Sequence, residues 1–219
     1  MIWQEDEDVT RPLVSDAIID AVFELRGKTL PNIYEDAFFS ALRVQLPWLD
    51  TQTETGVIVY FSAEEGNGWF RDDNPEGVIY LSRRTRMVLR LPLAQLDAVA
   101  NLTGRALTIG EHTLHIGPMK TRALAKSETL YARHVVSDTD DEALFEQKVL
   151  RAAGDLGIQC RKLVCGRQRT IITQQGTLNT RSVMLADLKP EQSILLQERG
   201  LGTHRHLGCG ILIPHKGIK

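Results

Sequence analysis

The sequence has few of the residues that form disulfides, and it lacks segments that could cross a membrane. Its three cysteines, Cys160, Cys165 and Cys209, form no C-x-x-C pair. An odd number of cysteines without a secretion signal is typical of reduced thiols, so we expect a cytoplasmic protein. No apolar run approaches membrane-spanning length, and the acidic residues soon after Met1 are not those of a signal peptide. We therefore expect no membrane partner.

Motifs of several catalytic classes are also absent. There is no G-x-S-x-G nucleophile motif and no Cys/His signature of a protease. Close histidine pairs occur only at His112 and His115 and at His204 and His206, and the sequence places no carboxylate or thiolate ligand beside them. Exposed histidines explain these pairs better than zinc does. We therefore predict no metal site and no cofactor.

The net charge of −2, from 28 acidic and 26 basic residues, does not by itself indicate a partner. Eight of the acids lie in two clusters, at residues 5–8 and 138–142, which leaves 20 acids against 26 basic residues elsewhere. The distribution of charge matters more for binding than its sum. A basic face that binds nucleic acid is therefore compatible with this composition.

A glycine-rich stretch, residues 200–210, is the most distinctive feature of the sequence. Glycine lets the backbone adopt positive φ and lets a ligand approach the main chain, and amides beside an arginine favour phosphate. Gly200 also suits the C-terminal cap of a preceding helix. The stretch follows a helix, and no Gly-Lys-Ser/Thr closes it, so it is not a mononucleotide phosphate loop. We interpret it as an anion-binding loop rather than as a helix cap with a kinked strand.

Hydrophobic periodicity predicts an α+β chain in which one order of elements, β-α-β-β-α-β, occurs twice. In the first half we expect strands and helices at 17–25, 34–46, 57–61, 78–91 and 92–102, with a closing hairpin at 106–116. In the second half we expect them at 124–136, 141–157, 161–165, 170–173, 182–186, 189–199 and 211–213. The prediction is therefore two tandem ferredoxin-like (RRM-like) βαββαβ domains, at 17–118 and 119–219, after an acidic N-terminal arm at 1–16.

Several segments together resemble a known family. The glycine-rich loop before the last strand, the segments 23–31 and 46–49, and the segment 130–133 are similar to those of the Cas-six family, in the RAMP superfamily of CRISPR RNA-binding proteins. Members of this family are endoribonucleases that cut CRISPR repeat RNA into guide RNAs. The resemblance implies that the partners are a CRISPR repeat RNA hairpin and other subunits of an effector complex, and that the product stays bound.

The resemblance also implies a cleavage chemistry. The ribose 2′-hydroxyl attacks the adjacent phosphate without metal, which leaves a 2′,3′-cyclic phosphate and a 5′-hydroxyl. Many members place a histidine at or before the first helix, but here Tyr34 stands at that position, and no histidine precedes His112. Tyrosine is mostly protonated at neutral pH, so Tyr34 would donate a hydrogen bond or orient the hydroxyl, or would only pack the helix. The catalytic candidates are Tyr34, then His204, whose imidazole suits proton transfer, and then Lys28.

The candidates for RNA binding carry either positive charge or an exposed glycine backbone. Phosphate contacts supply most of the affinity for RNA, and structured RNA is read mainly by shape. In the resembled family, basic residues of the second half grip the RNA hairpin, and here a basic cluster surrounds Gly166 in an expected hairpin. The candidates are Arg26, Arg161, Lys162, Arg167, Arg169, Gly200, Gly202, Arg205, His206 and Gly208.

Two alternatives stay open at this point. The missing histidine keeps open a subunit of the same fold that holds guide RNA without cutting it. The glycine-rich loop is also compatible with an enzyme that binds a small phosphate-bearing molecule.

Overall fold

The structure is a computed structural model and describes residues 17–52, 55–61, 74 and 76–215. The predicted N-terminal arm at 1–16 and most of the expected loop at 62–75 lie outside these residues. The strands of the described part are β1 Ile18–Arg26, β2 Thr29–Pro31, β3 Gly56–Tyr60, β4 Val78–Tyr80, β5 Arg86–Pro92, β6 Ala106–Ile109, β7 His112–Ala123, β8 Leu130–Val136, β9 Lys162–Thr173, β10 Gly176–Ala186 and β11 Leu212–Pro214. Its α-helices are α1 Glu35–Gln45, α2 Leu96–Ala100, α3 Glu142–Asp155 and α4 Pro190–Arg199.

The first half forms a five-stranded antiparallel sheet in the order β3-β5-β1-β7-β6. Strand β1 alternates as a half-buried strand should, because Phe23 and Leu25 enter the core while Asp20 and Glu24 lie on the other face. Helix α1 supplies Phe38 and other apolar side chains to the same core. The strand order is that of a ferredoxin-like domain, and β6 extends it as a hairpin with β7.

The second half forms a four-stranded sheet in the order β11-β8-β10-β9, which is the ferredoxin-like order without an extra strand. Val183 and Leu185 of β10 are fully buried in a core that also includes Phe145 of α3. The carboxylate of Asp141 caps α3, since it accepts a hydrogen bond from the amide of Leu144 at 3.1 Å. The predicted α+β class with two ferredoxin-like domains is confirmed.

The expectation of separate strands at 161–165 and 170–173 is wrong. Strand β9 is continuous, and Gly166 lies inside it at a bulge, where a Cβ atom would meet the hydroxyl of Ser182. The turn falls instead at Gln174 and Gln175, between Thr173 and Gly176. Two glutamines are not the residues that a two-residue hairpin turn normally uses, so this turn could not be recognised from the residue types.

The structure also differs from two expectations for the first half. The segment 78–91 is neither one strand nor a hairpin, because β4 pairs with β2 while β5 pairs with β1 and β3. The helix expected at 92–102 is a 3-10 turn at Leu93–Gln95 followed by the short α2. The division of domains at 118 and 119 stays a prediction; residues 119–123 continue β7 and pair with β1.

The two halves share apolar contacts. Leu207 and Cys209 from the glycine-rich loop, and Ile171 from β9, belong to the same buried cluster as Phe38 and Leu42 of α1. The second domain therefore completes the core of the first. Among the described residues, no helix combines the length and the apolar character needed to cross a bilayer.

Candidate functional site

The conformation of the glycine-rich loop explains its glycines. Gly200, Gly202, Gly208 and Gly210 have φ values of 71°, 79°, 83° and 67°, a region that L side chains rarely adopt. Gly200 ends α4 as predicted, and its amide donates to the carbonyl of Leu196. A Cβ on Gly200 would lie 2.6 Å from the Gly210 carbonyl oxygen, so only glycine lets the two ends of the loop meet. The loop is therefore closed at its base.

Arg205 folds back from the loop onto the end of α4. Its side chain is buried, and Nη1 donates to the carbonyls of Glu198 at 2.8 Å and Arg199 at 2.7 Å. The last carbonyls of a helix have no partner within the helix and carry the negative end of its dipole. Arg205 thus has a structural task in the loop, and its predicted contact with RNA stays a prediction.

His204 occupies an unusual position in this loop. It has φ 61° and ψ 38°, in the left-handed region, where residues other than glycine are uncommon and often functional. Its Nδ1 lies 2.8 Å from the hydroxyl of Thr203, and no other described residue hydrogen-bonds the ring. An imidazole that is hydrogen-bonded through one nitrogen and keeps the other for a substrate has the arrangement that proton transfer needs.

His206 joins the loop to the first domain. Its ring lies on that of Phe39 in α1, with 4.5 Å between centroids, and 5.8 Å from the ring of His204. A Cβ on Gly208 would lie 3.2 Å from the carbonyl oxygen of Val57 in β3. These contacts fix the loop against α1 and β3, and they bring the two loop histidines beside the first helix.

Tyr34 immediately precedes α1 and is only 6% exposed. Its ring makes edge contacts with Phe38 and Phe61, with centroids 6.0 and 5.7 Å away. The packing role considered for this residue accounts for the position of its ring. Its catalytic role stays a prediction.

Lys28 and Arg26 lie at the turn between β1 and β2, and both are exposed. Arg26 Nη2 donates to a carboxylate oxygen of Glu24 at 2.8 Å, and this bond lowers the pKa of Glu24. The carbonyl of Lys28 accepts a hydrogen bond from the amide of Leu81. These two hydrogen bonds join the turn to β1 and to the segment after β4, and neither involves the glycine-rich loop.

The basic residues of β9 share one face because of the bulge. Lys162 pairs with Ala186 before the bulge, and Arg169 pairs with Thr180 after it. In a regular strand, residues 162 and 169 would lie on opposite faces, but one extra residue restores the same face. Lys162, Arg167 and Arg169 thus form a basic row, and all three are exposed. Arg161, also exposed, directly precedes the strand.

The basic row leads toward the first domain. Ile171 follows Arg169 on the same face and is buried in the core that contains α1. At the hairpin tip, the amide of Gln174 donates to Asp36 of α1 at 3.3 Å. The N-terminal end of α1, the β9–β10 hairpin and the glycine-rich loop therefore meet. We take their junction as the candidate active site.

The nearby thiol is not a nucleophile in this environment. Burial raises the pKa of Cys209 to about 12, and the carboxylate of Glu35 acts in the same direction. The thiolate, which is the reactive form, is therefore suppressed. In the part of the chain that the structure describes, no three His, Cys, Asp or Glu side chains come together in a way that could hold a metal ion.

Comparison with known proteins agrees with this architecture. The family model described as Cas6 Crispr matches residues 19–217. The CRISPR-associated endonuclease Cas6 of Myxococcus xanthus is 32% identical over 197 residues, which are 90% of this chain and 81% of that protein. The chain therefore belongs to the Cas6 family, and the resemblance stated from the sequence is confirmed.

Two solved structures share the fold at low sequence identity. A Cas6-related protein of Pyrococcus furiosus has a TM-score of 0.59 and 12% identity, over 89% of this chain and 97% of the other. A RAMP protein described as binding different RNA substrates also has a TM-score of 0.59 and 12% identity, over 91% of this chain and all of the other, 100%.

Sequence reasoning missed four residues that shape this site. Phe39 was not recognised as the platform for His206, and Thr203 was not recognised as the partner of His204. Arg90 and Asp20, each flanked by apolar residues in its strand, form a fully buried ion pair. Such isolated charges were the available signal, because a buried charge is rarely left unpaired.

Proposed function

We propose that this protein is a metal-independent endoribonuclease that cleaves CRISPR repeat RNA to guide RNAs. The ribose 2′-hydroxyl attacks the adjacent phosphate and leaves 2′,3′-cyclic phosphate and 5′-hydroxyl ends. Membership of the Cas6 family and the 32% identical relative named as an endonuclease support this class. The observation that carries the proposal is His204, held by Thr203 in the left-handed region at the junction of three elements.

His204 is the group best placed to move a proton. Its imidazole takes the proton of the 2′-hydroxyl, the 2′-oxygen bonds to phosphorus, and the 5′-oxygen leaves as a hydroxyl after it gains a proton. The backbone amide of the exposed Gly202 is a candidate to offset the charge on the phosphate. The exposed Lys28 is the candidate for the second proton transfer, because the ring of Tyr34 is buried among aromatic side chains.

The basic row supplies the grip on RNA. Lys162, Arg167 and Arg169 lie on one exposed face, and the strand that carries them ends beside α1. Cations in a row suit the phosphates of a hairpin stem, which is read by shape and charge. Product retention, and a place among other subunits of an effector complex, follow from this grip as parts of the proposal.

A second candidate is a subunit that holds guide RNA without cutting it. One observation favours it, because the family's histidine position carries Tyr34, whose ring is buried among aromatic side chains. The two candidates share the fold and the RNA, and they differ in whether the phosphate is cut.

Incubation with a CRISPR repeat hairpin in excess chelator tests the proposal. We expect cleavage to continue, with a 2′,3′-cyclic phosphate on one product and a 5′-hydroxyl on the other. The same RNA with a 2′-deoxy sugar just upstream of the cut should bind and stay intact, because the attacking hydroxyl is gone. Loss of activity with the chelator overturns metal independence, and binding of every hairpin without any product supports the non-cleaving subunit. Size-exclusion chromatography of the reaction then shows whether the product stays bound.

A further inference from the structure

Arg90 is a fully buried arginine that connects the two domains. It lies in β5, directly opposite Asp20 of β1, and its side chain is 1% exposed. Nε donates to Asp20 Oδ1 at 2.8 Å and Nη2 donates to Asp20 Oδ2 at 3.2 Å. On its other side Asp20 accepts from Nη2 of Arg122 at 2.9 Å, from β7. The first sheet thus holds the guanidinium in a fixed orientation.

The remaining amino group of Arg90 reaches the second domain. Nη1 donates to the carbonyl of Gln197 at 3.2 Å and to the carbonyl of Leu212 at 2.6 Å. Gln197 lies in the last turn of α4, before the glycine-rich loop, and Leu212 begins β11 after it. One planar group therefore holds both stems of the loop that carries His204.

Arg90 and Arg205 together donate hydrogen bonds to the last carbonyls of α4. The amide of Gly200 donates to the carbonyl of Leu196, and Arg90 donates to the carbonyl of Gln197. Arg205 donates to the carbonyls of the next two residues, Glu198 and Arg199. The amide of Leu201, which would continue the helix, bonds instead to Gly210. The two arginines thus replace the helical partners that are lost where the loop begins.

A buried ion pair such as that of Arg90 with Asp20 contributes little to the stability of the fold. Burying an ion pair costs desolvation that its attraction barely repays, and apolar side chains often do as well. A guanidinium offers a rigid fork of donors instead, so it fixes distances among all of its partners. Here those partners are β1 of the first domain and both stems of the loop.

We propose that Arg90 is a positioning residue for cleavage, which sets the glycine-rich loop, and with it His204, against α1. The inference rests on the proposed function, and it assigns the placement of the loop to a contact with both of its stems. A misplacement of about 1 Å can lower a rate by about 10²-fold. The loss should appear in the chemical step and not in RNA affinity.

The test compares Arg90→Lys with two controls in the full chain. Lysine keeps the charge beside Asp20 but lacks the fork that spans both carbonyls. Arg122→Ala removes the other partner of Asp20 without touching the loop stems, and Val99→Ala lowers stability at a buried site in α2. We expect Arg90→Lys to cut hairpin RNA about 10²-fold more slowly in single turnover. Its RNA affinity should stay within about threefold of the wild-type value, and so should the rate and the affinity of both controls, because neither control touches the loop stems.

Amide hydrogen exchange gives a readout that does not need activity. The amides of Leu201 and Gly210, bonded to the carbonyls of Gly210 and His134, should lose protection in Arg90→Lys and keep it in Arg122→Ala. Wild-type rate and protection in Arg90→Lys overturn the proposal, and so does an equal rate loss in Val99→Ala. If the wild type does not cleave but protection falls selectively, the positioning stands and the proposed cleavage fails. If Arg90→Lys does not fold, Asp20→Asn replaces it in the same experiments. This change weakens the ion pair that holds Arg90 and hardly alters the shape of the side chain, and the expected results are the same.

Discussion

Phe39 and His206 lie ring against ring, with centroids 4.5 Å apart, although one belongs to the first helix and the other to the loop before the last strand. This contact places His204 at the boundary between the domains, since the two loop histidines are neighbours. The candidate site is therefore a product of domain packing, because side chains of both domains meet there.

Replacement of His204 by asparagine tests its assignment as the proton-transfer group. Asparagine tolerates the left-handed backbone, so His204→Asn removes the imidazole with little added strain. We expect single-turnover cleavage to slow by about 10²-fold or more, with RNA affinity kept. His115→Asn is the matched control, because His115 is exposed on β7. An equal rate in wild type and His204→Asn would remove His204 from the mechanism.

Tyr34→Phe separates the prediction made from the sequence from the one that the structure favours. A catalytic hydroxyl at the family's histidine position predicts a loss of about tenfold or more in single-turnover rate. The ring is 6% exposed among aromatic side chains, so we expect a change within about threefold, as for a packing residue whose shape is kept. A tenfold loss with wild-type stability in urea would restore Tyr34 to the active site.

The basic row predicts a particular dependence of RNA binding on salt. Arg167→Ala and Arg169→Ala should each weaken hairpin binding and lower the slope of log affinity against log salt by about one. Arg84→Ala is the control, because Arg84 is equally exposed but lies in the turn between β4 and β5. Slopes that are identical in all three variants would show that the row does not contact phosphate.

Two glycines form a matched pair for testing the loop surface. Gly202 and Gly104 have φ values of 79° and 85°, and neither has an atom within 4 Å of an added Cβ. Gly202→Glu and Gly104→Glu should therefore lose similar stability, about 1–2 kcal/mol from backbone strain. If the loop backbone approaches phosphate, only Gly202→Glu should weaken RNA binding. Equal affinities in the two variants would leave the loop a structural role alone.

Cys209 predicts a change of stability in alkali. Its thiol keeps its proton in the folded protein up to a pKa of about 12, whereas the ordinary value is 9.0. Above pH 9 the unfolded chain therefore releases a proton that the folded chain retains, and stability falls as pH rises toward 12, by up to about 1.4 kcal/mol per pH unit. Urea unfolding between pH 8.5 and 10.5, with Cys209→Ala for comparison, measures this slope. Parallel curves for the two proteins would contradict the assignment.

Element order was predictable because it depends on local pattern. Ala21, Phe23 and Leu25 alternate along β1, and Phe38 and Leu42 recur along α1, so both elements could be recognised from the sequence. The β9–β10 turn could not, since its two glutamines have no turn preference and Gly166 gave a false signal for a break. The pairing of β9 with β10 determines the position of the turn, and neither of these local sequence features indicates it.

The site was predictable in composition but not in arrangement. The glycine-rich loop and the basic cluster could be recognised, yet the buried position of Arg205 depends on carbonyls that only a folded α4 presents. The left-handed backbone of His204 and its contact with Thr203 likewise follow from closure of the loop. The shared face of Lys162 and Arg169 requires a bulge, which alternation in a single strand cannot reveal.

Leu207 and Cys209, which fill part of the core of the first domain, have a consequence for synthesis of the chain. Ribosomes deliver the N-terminal domain first, and domains generally begin to fold as they emerge. Here the first domain emerges without two of its own core side chains and without the loop that carries His204. The junction that we take as the candidate active site is therefore assembled only after residues 200–210 have been synthesised, so a chain that stops before them would have neither a complete first core nor this site.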